Sequence, residues 1–316
     1  MKLFNLPTLL AATYLLVAPV AHAATDSSQI EHTQTTYHTQ QVGEVEVFYR
    51  EAGAEDAPVL LLLHGFPSSS HQFRKLIPLL ADDYRVIAPD LPGFGNTVAP
   101  PRGEYDYTFD NLTAAVAGLI EELNVEKFSM YVFDYGAPVG FRIAAANPEK
   151  VTAIITQNGN AYEDGLSAGF EKVKAYWKED TQENRDELRS LLAKETTVWQ
   201  FTAGVAEDRL AYISPDSIDH AQANIDRDAE IQLDLFKSYQ TNVKAYPQWQ
   251  AYMKAHQPPV LAIWGKNDPF FIPPGAEAFK RDLPDATVEF VDTGHWALET
   301  HLIEIAGRVR SFLNGL

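Results

Sequence analysis

Asp134, Asp268 and His295 are of the residue types, and come in the chain order, that a hydrolytic relay needs. Asp134 closes the apolar run of Phe128-Ser-Met-Tyr-Val-Phe-Asp-Tyr-Gly136 and precedes a helix-like run from Ala137 to Ala146. A strand that turns sharply into a helix exposes its turn residue, and the helix N-terminus behind it favours negative charge. Gly136 supplies the small side chain such an elbow needs. The placement suggests a carboxylate nucleophile, and it also fits an aspartate that caps the helix. Asp268 follows Val260-Leu-Ala-Ile-Trp-Gly-Lys-Asn267, and His295 follows Val288-Glu-Phe-Val-Asp-Thr-Gly294. Taken singly, Asp268 before Pro269 fits a turn and His295 fits a satisfied surface histidine. Taken together, nucleophile, acid and histidine at successive strand ends fit a relay in which Asp268 orients His295 and His295 serves as base.

A serine at the elbow would suit acyl transfer. A carboxylate instead displaces a leaving group from an sp³ carbon, giving an alkyl ester of Asp134. Water activated by His295 would then attack the carbonyl carbon of that ester. This chemistry calls for no cofactor and no metal, and no His and carboxylate cluster is spaced for a metal ion.

The elements that must deliver these groups can be read from hydrophobic periodicity. Val42 to Tyr49 alternates as a strand does, and Pro58 to His64 is an almost wholly apolar run expected of a strand buried on both faces. A helical segment (Gln72 to Leu80), a strand (Val86 to Asp90), a Pro/Gly-rich loop (Leu91 to Pro101) and a helix (Phe109 to Leu123) follow, ahead of the strand that ends on Asp134. Val151 to Gln157, Val260 to Trp264 and Thr287 to Val291 read as further strands. Strands alternating with helices imply an α/β fold with a mostly parallel, doubly wound sheet. The stretch 160–257 differs, being rich in charge and aromatics with helical periodicity. It predicts a helical lid inserted between a first core part (36–159) and a second (258–316), over the sheet edge where open α/β sheets bind ligands.

The formal net charge is −18. So acidic a chain is a poor match for nucleic acid or anionic membranes. Residues 1–23, a lysine followed by a mostly apolar run and Ala21-His22-Ala23-Ala24, read as a secretory signal with an A-x-A cleavage site. Pro7 and Pro19 interrupt the run and argue against a membrane anchor. The expectation is an exported protein, periplasmic or secreted. Its core must hold without disulfides, because the chain has no cysteine.

Five motifs carry a family resemblance: HGFP at 64–67, APDLPGFG at 88–95, FDYGAPVGFR at 133–142, WGKNDPF at 264–270 and DTGHW at 292–296. Together they resemble the α/β-hydrolase branch that contains epoxide hydrolases and haloalkane dehalogenases, over nearly all of 40–316. The resemblance implies an oxyanion hole made by the backbone N–H groups of Phe66 and Tyr135, with His64 structural. It also implies a small, largely apolar organic substrate, with water as co-substrate. For the leaving group, Tyr239 looks like the second lid tyrosine of epoxide hydrolases. The counterpart of the first falls near Thr196 and is not a tyrosine, leaving Tyr212 or Tyr162 to approach from elsewhere. Trp199 would be the lid indole donating to a halide, although dehalogenases usually place Trp where this chain has Tyr135. Tyr239 also fits the buried face of a helix with Ile231, Leu235 and Val243, and Trp199 also fits lid packing. The expected activity is epoxide hydrolysis, with a dehalogenase-like hydrolase or a non-catalytic receptor on the same fold as alternatives.

Overall fold

The computed structural model describes residues 33–316. The expected signal segment, 1–23, lies outside the described residues.

The sheet has eight strands in the order β1-β2-β4-β3-β5-β6-β7-β8. They are β1 (Thr36–Val42), β2 (Val45–Ala52), β3 (Val59–Leu63), β4 (Arg85–Pro89), β5 (Phe128–Phe133), β6 (Val151–Gln157), β7 (Val260–Gly265) and β8 (Thr287–Val291). β1 and β2 pair antiparallel and β2 joins β4 antiparallel, while the remaining neighbours run parallel. The apolar runs behave as their composition requires. β3, β4 and β5 are buried almost throughout, because helices cover both faces of the parallel region. β1 was not legible in the sequence. Its residues are largely exposed, so no apolar alternation marks it, and it is held by a hairpin through Gly43, whose φ is +57°.

The two apolar layers differ in what they cover. One, on the side of Leu60, Leu62, Tyr131 and Phe133, packs against Phe73, Ile77 and the C-terminal helix residues Ile305 and Val309. The other, around Leu61, Leu63, Met130 and Val132, continues into the insertion through Phe141, Trp249 and Tyr239. The expected helix over Gln72 to Leu80 is broken into a 3₁₀ turn (Ser70–Phe73) and a short helix (Ile77–Leu80). Pro78 has no N–H to bond back to residue 74, so one helix cannot run through.

Helix α1 spans Phe109–Glu122 and α2 spans Gly136–Ala146. Between β6 and β7 the chain leaves the sheet and forms helices α3 (Glu171–Lys178), α4 (Lys194–Thr202), α5 (Pro215–Arg227), α6 (Ala229–Ser238) and α7 (Gln240–His256). This insertion is pinned to the core by specific bonds. Asn224 on α5 donates to the carbonyls of Pro67 (3.0 Å) and Ser68 (3.2 Å) and accepts from the Gly95 N–H (3.0 Å). Arg142 on α2 donates to Asn242 (2.7 Å) and Thr241 (2.9 Å) at the start of α7. Trp249, fully buried, stacks on Phe141 at 5.6 Å and lies under the Arg142 guanidinium at 5.4 Å.

Trp249 therefore anchors α7 to α2, and Trp249→Ala is expected to cost about 3–5 kcal/mol of stability, the usual range for emptying a buried Trp site. Urea unfolding would show this as a lowered midpoint. A midpoint unchanged from wild type would mean that α7 does not depend on this contact.

Candidate active site

Asp134 stands at the β5–α2 turn with φ +46°, in the left-handed region. A non-glycine residue is held there only when its surroundings over-determine it. Two glycines make the room. A Cβ on Gly65 would lie 2.4 Å from Asp134 Cβ, and one on Gly136 would lie 2.1 Å from the Leu63 carbonyl oxygen. The carboxylate is turned toward the loop after β3: the Phe66 N–H donates to Asp134 Oδ1 at 2.6 Å. This bond runs to a residue far away in sequence, whereas a simple helix cap would accept from the first-turn amides of α2.

The other two groups arrive on the neighbouring strand ends. Asp268 follows β7, and its Oδ1 accepts the N–H groups of Phe270 (2.7 Å) and Phe271 (3.2 Å). Its Oδ2 takes His295 Nδ1 at 2.7 Å and the Asn158 amide at 2.7 Å. His295, 2% exposed, is packed by Phe133, Phe270, Phe271 and Trp296. Its Nε2 lies 3.9 Å from Asp134 Oδ2. Because Oδ1 is engaged by Phe66, Oδ2 is the oxygen left facing the histidine.

Burial raises the Asp134 pKa to about 6, against the opposing pull of His295 and of the Phe66 and Tyr135 N–H groups. For His295, burial works against the charged form, but the adjacent Asp268, through its charge and hydrogen bond, together with Asp134, raises its pKa above the ordinary value. His64 is different. Its Nε2 accepts the Leu91 N–H at 2.9 Å, and burial pushes its pKa down to about 4, so it is a neutral structural histidine.

These groups open into a small cavity over the strand ends, to which the insertion contributes Phe170, Val173, Leu191, Gln200, Phe236 and Tyr239. Its polar lining consists of Asp134, Tyr135, Gln200, Tyr239 and His295, and the rest is mostly Phe, Leu and Val. Tyr239 sits between α6 and α7, stacked on Trp177 at 6.0 Å with planes 4° apart. Its hydroxyl is buried and makes no well-formed hydrogen bond, as is that of Tyr135, and the two rings are 5.9 Å apart. Burial pushes both phenols well above their ordinary pKa, for Tyr239 with the Tyr246 hydroxyl as its foremost electrostatic neighbour. Tyr246 in turn accepts from the Asn160 amide at 3.2 Å. Both cavity phenols therefore remain protonated, as donors.

The remaining sequence expectations fare differently. Trp199 does not line the cavity. It is 48% exposed and packs edge-on against Phe270, so the expected halide-binding indole is not formed. Its helix turns Gln200 inward instead. Tyr212 is exposed, and Tyr162 donates its hydroxyl to Asp282 at 3.0 Å, so neither reaches the cavity. Three groups were missed. The Tyr135 side chain enters the sequence reading only as the replacement of a dehalogenase Trp, not as a phenol donor. Asn158, at the end of β6, could have been found as one more polar residue at a strand end. Gln200 carried no sequence signal.

Fold and site together define the class: an open parallel sheet with a polar elbow residue, a histidine and an acid at its strand ends beneath a helical insertion, as in hydrolases of the α/β type. Residues 58–302 match the family described as alpha/beta hydrolase fold, and the chain belongs to that family. It is 45% identical over 285 residues to the uncharacterized hydrolase YNR064C of Saccharomyces cerevisiae, covering 87% of this chain and 96% of that protein. A haloalkane dehalogenase of Psychrobacter cryohalolentis is 35% identical over 143 residues, 44% of this chain and 46% of its own length. Among solved structures, epoxide hydrolase I of potato (Solanum tuberosum) superposes with a TM-score of 0.70 at 20% identity, over 90% of this chain and 100% of that one, which is a likeness of fold. The chain is thus a hydrolase of the alpha/beta family, related to haloalkane dehalogenases.

The raised Asp134 pKa has a directional consequence. The Asp134 carboxyl is expected to be mostly ionised above about pH 6 and mostly protonated below it. Infrared difference titration of the carboxyl band, wild type against Asp134→Ala, tests this. A band that titrates at the ordinary carboxylate pH would contradict it.

Proposed function

We propose that this protein is a cofactor-independent hydrolase that opens small, largely apolar epoxides through an ester on Asp134. The observation that carries the proposal is the pair of buried phenols lining the same apolar cavity as the carboxylate: Tyr135, whose hydroxyl has no partner, and Tyr239, whose hydroxyl has only that of Tyr246 beside it. An epoxide needs a proton for its departing oxygen, and a buried donor without a partner is costly unless a ligand satisfies it.

Asp134 Oδ2 attacks a ring carbon, the carbon–oxygen bond of the epoxide breaks, and the released oxygen takes a proton from Tyr239 or Tyr135. Water then gives one proton to His295 Nε2 and adds to Asp134 Cγ. The negative charge on Oδ1 is stabilised by the N–H groups of Phe66 and Tyr135. Collapse breaks the bond from Cγ to the ester oxygen, the histidine returns its proton to the leaving alkoxide, and the last proton of the water restores the tyrosine as Asp134 reionises. Asp268 holds His295 in the required tautomer and stabilises its charged form. The insertion, 160–257, acts as the cap over the site. The N-terminal segment 1–23 is proposed to direct export to the periplasm or beyond.

Haloalkanes are the second reading, favoured by the partial similarity to a protein named haloalkane dehalogenase and by phenols that can also donate to a halide. It is weakened by the position of Trp199. Intact-mass analysis of His295→Gln, incubated separately with epoxide and haloalkane panels, separates the two. An adduct of the whole epoxide, absent in Asp134→Ala, is expected. Adding Tyr135→Phe and Tyr239→Phe should slow its formation by about 10²- to 10⁴-fold, the usual worth of acid catalysis. An adduct of the alkyl group alone would move the assignment to dehalogenation, and reversible binding with no adduct would favour a receptor.

A further inference from the structure

Gln200 is the polar group of the cavity that this chemistry does not use. It lies on α4, is 4% exposed, and lines the cavity beside the insertion residue Leu191 and the core residue Phe270. Its neighbours on the helix are tied down: Thr197 donates to Gln222 at 2.7 Å and Phe201 stacks on Trp296 at 4.2 Å. The other buried glutamines of the described residues, Gln72, Gln157, Gln222 and Gln232, each make at least one side-chain hydrogen bond within the protein. The Gln200 amide makes none to the described residues, and it is not among the fully enclosed polar atoms, so what exposure it has is to the cavity it lines. Its helix is fixed in place by Thr197 and Phe201, so the amide is presented to the cavity and not merely stranded in packing.

We propose that Gln200 is a specificity residue that hydrogen-bonds a neutral oxygen function, a hydroxyl or carbonyl, on an otherwise apolar substrate. A primary amide both donates and accepts, so it suits either group. The bound oxygen function is not anionic, because the lining carries no arginine or lysine to hold an anion and the Asp134 carboxylate repels one. Sites built around a buried hydrogen-bonding group reject analogues that lack its partner far more strongly than apolar pockets reject a missing methylene. The substrate class is therefore narrowed from plain alkyl epoxides to epoxides bearing a hydroxyl or carbonyl along the chain. This rests on the epoxide proposal and deepens it, and one arm of its test is independent of that chemistry.

The reactive arm compares ω-hydroxy-1,2-epoxyalkanes of graded length with hydrocarbon epoxides that carry methyl in place of the hydroxyl, in wild type, Gln200→Leu and Gln200→Met. At the best-fitting length, wild type is expected to prefer the hydroxy epoxide by about 10- to 100-fold in kcat/KM. In both variants that ratio should fall towards one, with the change mainly in KM. The binding arm titrates the matching triols and diols calorimetrically. Wild type should bind the triol more tightly by about tenfold, and the gap should close in the variants. A gap in the binding arm with no turnover of any epoxide would remove the epoxide reading and leave Gln200 as a ligand-holding residue. Turnover without preference in wild type, or a preference undiminished in folded variants, would overturn the role of Gln200. So would an amide that merely holds cavity water, since the hydroxyl would then bring no advantage.

Discussion

A carboxylate buried among aromatic side chains is the constraint on which the rest of this structure depends. Moving a charge out of water is expensive, and the surroundings must return enough to keep it ionised near neutral pH. Here the return comes from the Phe66 N–H at 2.6 Å, the Tyr135 amide and the nearby histidine. Each of those requires the left-handed backbone at Asp134, and that backbone requires Gly65 and Gly136 against it. The short bond from Phe66 also selects between the two oxygens. Oδ1 is fixed in the amide cradle, and Oδ2 is left free toward His295.

The opposite wall is the insertion, and its attachment fixes the shape of the cavity. Asn224 ties α5 to the loop that presents Phe66, so that loop and the insertion are braced against each other. Arg142 and Trp249 do the same between α2 and α7. Because α2 begins at the elbow, motion of α7 would be felt at Asp134 through one rigid element. The aromatic shell around Tyr239, formed by Phe109, Tyr135, Phe170 and Trp177, fixes the phenol ring while leaving its hydroxyl with only that of Tyr246 beside it.

Much of the fold was legible because buried parallel strands are written as unbroken apolar runs. The runs at Val59–Leu63, Phe128–Phe133 and Val151–Gln157 needed no tertiary information to be recognised. Asp134, Asp268 and His295 were legible for the same reason, since each ends such a run. β1 was hidden because an exposed edge strand needs no apolar alternation, and Pro78 broke a helix whose periodicity suggested one piece. Inside the insertion the sequence was a weaker guide. Whether Trp199 or Gln200 faces the cavity depends on the rotation of α4, which is set by Thr197 and Phe201 meeting partners from distant parts of the chain. The Tyr135 phenol follows the elbow, where a backbone N–H already has a use, so the residue type alone did not mark its hydroxyl as a donor.

In the proposed mechanism water attacks Asp134 and never the substrate. This is tested most directly by a single turnover of an epoxide in ¹⁸O-labelled water with enzyme in excess, followed by mass analysis of both the diol and the peptide containing Asp134. The first-turnover diol is expected to carry no heavy oxygen and the Asp134 carboxylate to gain it, because the oxygen passed to the product is the old Oδ2. Heavy oxygen in the first diol with an unlabelled Asp134 would contradict the ester, and with it the role assigned to the elbow.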